Sequence, residues 1–156
     1  MCLLVLPASY QGQVRKEVKV SQASLAVQIE LDKDAEGKVV VVNRGNAEIT
    51  LWRMGNSWGD DTLSFEVSRD SGKESITYAP QTYTRNVPGT VVVPAAGRYE
   101  IPFNLKDGKW GPAAAIDKLS GADARLTATY TIRQSPEALS HRVWIGELRS
   151  QPVQLK

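Results

Sequence analysis

The sequence predicts a single all-β domain, an antiparallel sandwich of two facing sheets with eight or nine strands and one short helix near residues 112–119. Three observations lead there. Apolar and polar residues alternate with a period of two along most of the chain, as they must where successive side chains point to opposite faces of a half-buried strand. Turn-forming clusters break the alternation at the roughly 8–12-residue spacing typical of sandwiches and barrels. No strand–helix–strand alternation appears, which argues against a parallel sheet. At 156 residues the chain is long enough to bury a core without metal or disulfide staples.

Residues 1–23 read as an N-terminal arm or edge strand, and 24–156 as the sandwich. The apolar run Cys2 to Leu6, followed by Pro-Ala-Ser, is similar to the end of an export signal but is shorter than a full one and has no basic residues before it, so a signal remnant stands as the alternative to an arm or edge strand. Ser24 to Asp32 alternates strictly, with Leu25, Val27, Ile29 and Leu31 on one side. After the charged turn Asp32–Gly37, the valines of Lys38–Asn43 face both ways, as in a central strand. Asn43–Asn46 turns the chain into Glu48–Met54. A loop, Gly55–Asp61, leads to Leu63, Phe65 and Val67. Asp70-Ser-Gly72 is a tight hairpin signal returning through Lys73–Tyr78.

A longer loop from Pro80 to Gly89 precedes Thr90–Val93, and Pro94-Ala-Ala-Gly97 turns into Arg98–Leu105. Pro102 removes a ladder donor, so that strand belongs at an edge or breaks there. Pro112 before three alanines, with Ser-Gly after Leu119, marks the short helix. Arg125–Arg133 alternates again, and Val143–Arg149 and Pro152–Leu155 close the domain.

Composition excludes several functions. The formal net charge is +2, from 19 basic and 17 acidic residues mixed along the chain, with no basic run, so neither nucleic acid nor an anionic membrane is an expected partner. No stretch reaches the roughly 18–20 apolar residues of a membrane-spanning helix, and no membrane insertion is expected. Cys2 is the only cysteine and His141 the only histidine. That rules out an intramolecular disulfide, a cysteine-based zinc cluster and any site needing two imidazoles. His141 sits in a polar stretch beside Arg142 and reads as a solvated loop residue. Asp32–Gly37 starts like a calcium loop, but the twelfth position, where an EF-hand needs a bidentate Glu, is Asn43. Asp60 and Asp61 are adjacent and point opposite ways in an extended chain. No phosphate loop or nucleophile elbow is present. No catalytic residue, metal or cofactor is therefore expected, and the chain reads as a non-enzyme.

The loop aromatics are the candidate ligand-binding residues: Trp58 in Gly-Asn-Ser-Trp-Gly, Trp110 in Gly-Lys-Trp-Gly-Pro, and Tyr83 in Gln-Thr-Tyr-Thr-Arg. Rings on loops can stack on sugars or anchor a protein partner; the plainer alternative is that they plug the open ends of the sandwich. Trp52 and Trp144 read as strand packing.

Several segments together resemble bacterial immunoglobulin-like sandwich domains over about residues 24–156. They are Val-Val-Asn-Arg-Gly-Asn46, Leu63-Ser-Phe-Glu-Val67 before Asp-Ser-Gly, Pro94-Ala-Ala-Gly97, and Trp144 to Val153. Val39 to Leu105 is more weakly similar to the sandwich of intracellular bacterial proteinase inhibitors. The antibody-type cysteine pair is absent. The resemblance implies a non-catalytic module that binds a protein partner or a second copy of itself. Two alternatives stand beside that: a carbohydrate-binding module using Trp58, Trp110 and Tyr83, and an enzyme inhibitor presenting a loop such as Pro80 to Pro88.

Overall fold

The alternating segments fold as strands in the computed structural model, which describes residues 24–33, 35–120 and 123–155. The arm or edge strand expected over 1–23 lies outside the described residues. In chain order the strands are β1 (Leu25–Lys33), β2 (Glu36–Asn43), β3 (Ile49–Trp52), β4 (Leu63–Arg69), β5 (Gly72–Tyr78), β6 (Thr90–Val93), β7 (Arg98–Asn104), β8 (Trp110–Gly111), β9 (Arg125–Ile132), β10 (Gly146–Arg149) and β11 (Val153–Gln154). Three one-turn helices interrupt them: α1 (Ser57–Asp60), α2 (Ala113–Asp117) and α3 (Pro136–Ser140).

All the pairing is antiparallel. One sheet runs β1-β2-β7, a larger one β10-β9-β4-β5-β8 with β11 also on β9, and β3 pairs with β6 as a separate ribbon. The architecture is an all-β sandwich. The alternation shows which faces close on each other. Leu25, Val27, Ile29, Val39, Val41, Ile101 and Phe103 of the small sheet are buried, as are Leu63, Phe65, Val67, Leu126, Ala128 and Tyr130 of the large one. Phe65 of β4 and Phe103 of β7 meet with ring centroids 4.7 Å apart, joining the two layers. Val40 is buried as well, so β2 carries apolar side chains on both faces, as its central position requires.

Asn43 ties the pieces together. It is fully buried at the end of β2, and its Nδ2 donates to the carbonyls of Ala47 (2.8 Å), Val93 (3.2 Å) and Pro94 (3.0 Å). Its Oδ1 accepts from the Gly45 N–H (3.0 Å), and its own N–H donates to the Gly97 carbonyl (2.9 Å). One side chain thus fastens the β2–β3 turn and the end of β6 to the small sheet. The Pro94–Gly97 turn is tight: Ala96 has φ 56°, and a Cβ on Gly97 would lie 2.7 Å from the Pro94 ring.

Sequence and structure differ mainly in the short elements. Among the described residues there are eleven strands where the sequence suggests eight or nine, because a two-residue strand such as β8 leaves no period to detect. Trp58 lies on α1 and Trp110 on β8, where the sequence suggests loops. α1 and α3 form through capping: the Asn56 and Ser135 side chains accept from the Gly59 and Ala138 N–H groups. Pro102 does sit on an edge strand, since among the described residues β7 pairs only with β2.

Replacing Asn43 by alanine leaves buried carbonyls without a donor, each a desolvation cost. Asn43→Ala is expected to lower stability by about 2–4 kcal/mol. In urea this appears as a lower midpoint with an unchanged slope, and an unchanged midpoint contradicts the role given to Asn43.

Candidate functional site

Asp60 organises one end of the sandwich. It lies in the last position of α1 and is buried, a placement that demands partners for its carboxylate. Oδ1 accepts from the Gly55 N–H at 2.7 Å, and Oδ2 accepts from the Tyr83 hydroxyl at 2.5 Å. The helix forms here because Asn56 caps it at one end and Gly59 lets it approach the preceding strand. A Cβ on Gly59 would lie 1.9 Å from the Arg53 carbonyl oxygen, a contact no side chain tolerates. Asn56 Nδ2 also donates to that carbonyl (2.9 Å), and Thr62 Oγ1 donates to the Gly59 carbonyl (2.6 Å).

The long loop after β5 folds back onto this helix. Besides Tyr83, Asn86 holds it: its Oδ1 accepts from the Ser57 N–H (3.0 Å) and its Nδ2 donates to Ser57 Oγ (2.7 Å). At the far end of the loop the Gly89 carbonyl accepts from the Arg53 N–H (2.8 Å). Pinned at these points, the loop leaves Arg85 exposed and Val87 68% exposed. Tyr83 is half-buried and serves as an anchor. Burial raises its phenol above the usual tyrosine range, and the hydrogen bond to Asp60 raises it further.

Beside Asp60 runs a groove of about 400 Å³. Met54, Tyr78, Phe103 and Trp110 form its apolar walls, and Asp32, Glu36, Asp60, Asp107 and Lys109 supply its charge. Trp110 is 6% exposed, set edge-on against Phe65 (5.2 Å) and Tyr78 (4.9 Å). Met54 is positioned by its N–H, which donates to the Tyr99 hydroxyl at 3.3 Å. Lys109 is taken up by Asp107 (3.5 Å). Asp32 and Glu36 are exposed and form no ion pair among the described residues. Tyr78 senses the excess of acid: burial raises its phenol first, Asp60 and Asp107 add to the rise, and Lys109 opposes them.

The three aromatics singled out by sequence divide between two places. Trp110 lines this groove, and Tyr83 reaches it through Asp60. Trp58 is half-buried on the same helix as Asp60 but packs against Trp52 (6.3 Å, 43°) and lines a separate cleft of about 200 Å³ with Asp61, Thr131, Arg133 and Glu137. Trp52 and Trp144 are buried, Trp144 just before β10 with its N–H donating to the Thr50 carbonyl. His141 is exposed and its ring lies 5.4 Å from that of Trp52 at a tilt of 55°, its Nδ1 3.0 Å from both Ser140 Oγ and the Glu137 carbonyl. Sequence reading did not find the acids Asp32, Glu36 and Asp107 as a group. They come from two turns far apart in sequence, and only the sandwich brings them to one rim.

Tyr83→Phe leaves Asp60 Oδ2 buried without its donor, and a loss of about 1–3 kcal/mol is expected, with faster proteolysis at Arg85. The raised phenol gives the effect a pH signature. The proton favours the folded form, so the Tyr83 contribution is complete below about pH 10 and fades as the pH climbs from there towards the folded value. Denaturation of both proteins at pH 8 and pH 11 checks this, and an equal gap between them at both pH values contradicts it.

No protein-family model matches the chain, and comparison with curated proteins and with solved structures likewise gives no match.

Proposed function

We propose that the protein is a non-enzymatic binding module for a protein partner, and that it receives a lysine or arginine side chain of that partner in the groove beside Asp60. The observation that carries this reading is the pairing of an apolar floor with a rim of excess acid, four carboxylates against the single Lys109. A long basic side chain is apolar along its stem and charged at its tip. Its methylenes can lie along Met54, Phe103 and the rings of Tyr78 and Trp110, while its head group reaches Asp32 and Glu36, which form no ion pair among the described residues. A cation near aromatic rings gains further from their quadrupole. A neutral ligand such as a sugar would leave the charge of the acidic rim unused.

Rim ion pairs are individually weak, on the order of 0.2–1 kcal/mol, and screened by salt. Binding is therefore expected to be salt-sensitive. Short peptides centred on Arg or Lys should shift tryptophan emission saturably, and matched peptides with norleucine at that position should not. The double change Asp32→Asn/Glu36→Gln should weaken binding by about three- to thirtyfold. Equal binding of the basic and norleucine peptides, or no effect of the double change, would overturn the reading, and saturable shifts with neutral glycans alone would favour the carbohydrate alternative.

A further inference from the structure

The two outer strands of the small sheet are built differently at their free edges. The hydrogen-bond alternation of antiparallel pairs shows which residues face outward. The Arg44 N–H donates to the Ser24 carbonyl (2.7 Å) and the Asn43 N–H to the Gly97 carbonyl (2.9 Å). With the registers of β1 and β7 on β2, the even-numbered residues of β1 bond to β2, as do Tyr99, Ile101 and Phe103 of β7. The main-chain groups of Leu25, Val27, Ile29 and Leu31 therefore point to the outer edge of β1, and those of Arg98, Glu100 and Pro102 to the outer edge of β7.

The β7 edge is blunted. Pro102 removes a donor from it, and Arg98 and Glu100 on the same strand are charged, both devices that discourage a further strand. The β1 edge has no proline, and its one charged side chain between Leu25 and Leu31, Glu30, is ion-paired to Lys38 and Arg98. From Leu25 to Leu31 it contains no proline, no glycine and no break, the first irregularity being the shift between Leu31 and Lys33. Among the described residues no other strand pairs with it. A groove of about 530 Å³ runs along β1 and is lined also by Leu148, Arg149 and Val153.

We infer that this edge is a self-association surface, on which β1 of a second copy pairs antiparallel about a two-fold axis through Gln28. This inference is independent of the acidic groove. The β1 sequence is complementary to itself in that register. Leu25 lies opposite Leu31 and Val27 opposite Ile29 on the core-facing side, while Ala26 lies opposite Glu30 and Gln28 opposite Gln28 on the other. All seven residues ahead of the irregularity are used, and no like charges face each other. Glu30 keeps its ion pairs to Lys38 (3.2 Å) and Arg98 (3.6 Å), because the small Ala26 of the other copy lies across from it. Outward-facing Val27 and Ile29 form the hydrogen-bonded pairs, so Gln28 meets its counterpart at a non-hydrogen-bonded position, where Cα atoms are about 4.5 Å apart. Closed two-fold pairing of this kind ends at a dimer.

Cysteine cross-linking of the full chain reads this register directly. In a Cys2→Ser background, Gln28→Cys should oxidise to a covalent dimer, since about 4.5 Å lies within the range a disulfide spans. Ala26→Cys, whose counterpart lies opposite residue 30, should remain largely monomeric. Gln28 is exposed, so Gln28→Lys should leave thermal unfolding at low concentration unchanged while raising the dimer dissociation constant about two- to fivefold through like-charge contact. Sedimentation that shows only monomer up to the highest soluble concentration overturns the inference, as does equal cross-linking at positions 26 and 28. Protected Leu25, Val27 and Ile29 amides in a monomer also overturn it, because another part of the same chain would then cover the edge.

Discussion

A buried carboxylate cannot sit in a protein without donors, and Asp60 draws its donors from two separate loops. That requirement shapes the end of the sandwich. To reach Gly55, the chain after β3 must turn sharply into a one-turn helix, which Asn56 caps and Gly59 fits against Arg53. To reach Tyr83, the loop after β5 must fold back over the same helix, where Asn86 and Gly89 hold it. The groove lies beside this knot. Without Asp60 the loops would have less reason to converge beside the groove that Met54, Tyr78 and Trp110 line.

How far the sequence reveals this depends on the distance over which each signal acts. Period-two alternation is local, so β1, β2, β4, β7 and β9 are legible from residue types alone, and Pro102 correctly marks an edge. Caps are local too, and Ser135 before Pro136 is a readable start for α3 that a search for longer periods passes over. Trp110 is legible as an aromatic that matters, but not as the wall of a groove, because β8 is too short to carry a pattern. The acidic rim is illegible. Asp32, Glu36 and Asp107 look like ordinary turn residues until the hairpin of β1 and β2 and the turn after β7 arrive at the same end. Asp60 is hidden as well, because adjacent acids diverge in an extended chain. In fact it ends a helical turn, and its neighbour Asp61 lines a different cleft.

The two surfaces proposed lie on different parts of the small sheet and ask different things of it. The groove uses the β1–β2 turn, where charge collects because backbone there is exposed. The edge uses the middle of β1, where alternation is strict and charge is sparse. A sandwich of open sheets has edges by construction, and each must be shortened, blunted or paired. β8, β10 and β11 are short, β7 carries Pro102, and β1 is left for pairing. A dimer joined through β1 would carry two acidic grooves, so a partner with two basic segments would gain from binding both at once.

The central claim is that a cation enters the groove beside Asp60, and Met54 gives the most direct view of it. The chain has two methionines, Met1 and Met54, so methyl-labelled methionine yields a spectrum in which one signal belongs to the groove. On titration with N-acetylarginine amide the account predicts a saturable shift of the Met54 methyl, and little shift with the neutral isostere N-acetylcitrulline amide. A Met54 signal that stays still with both, or moves equally with both, contradicts it.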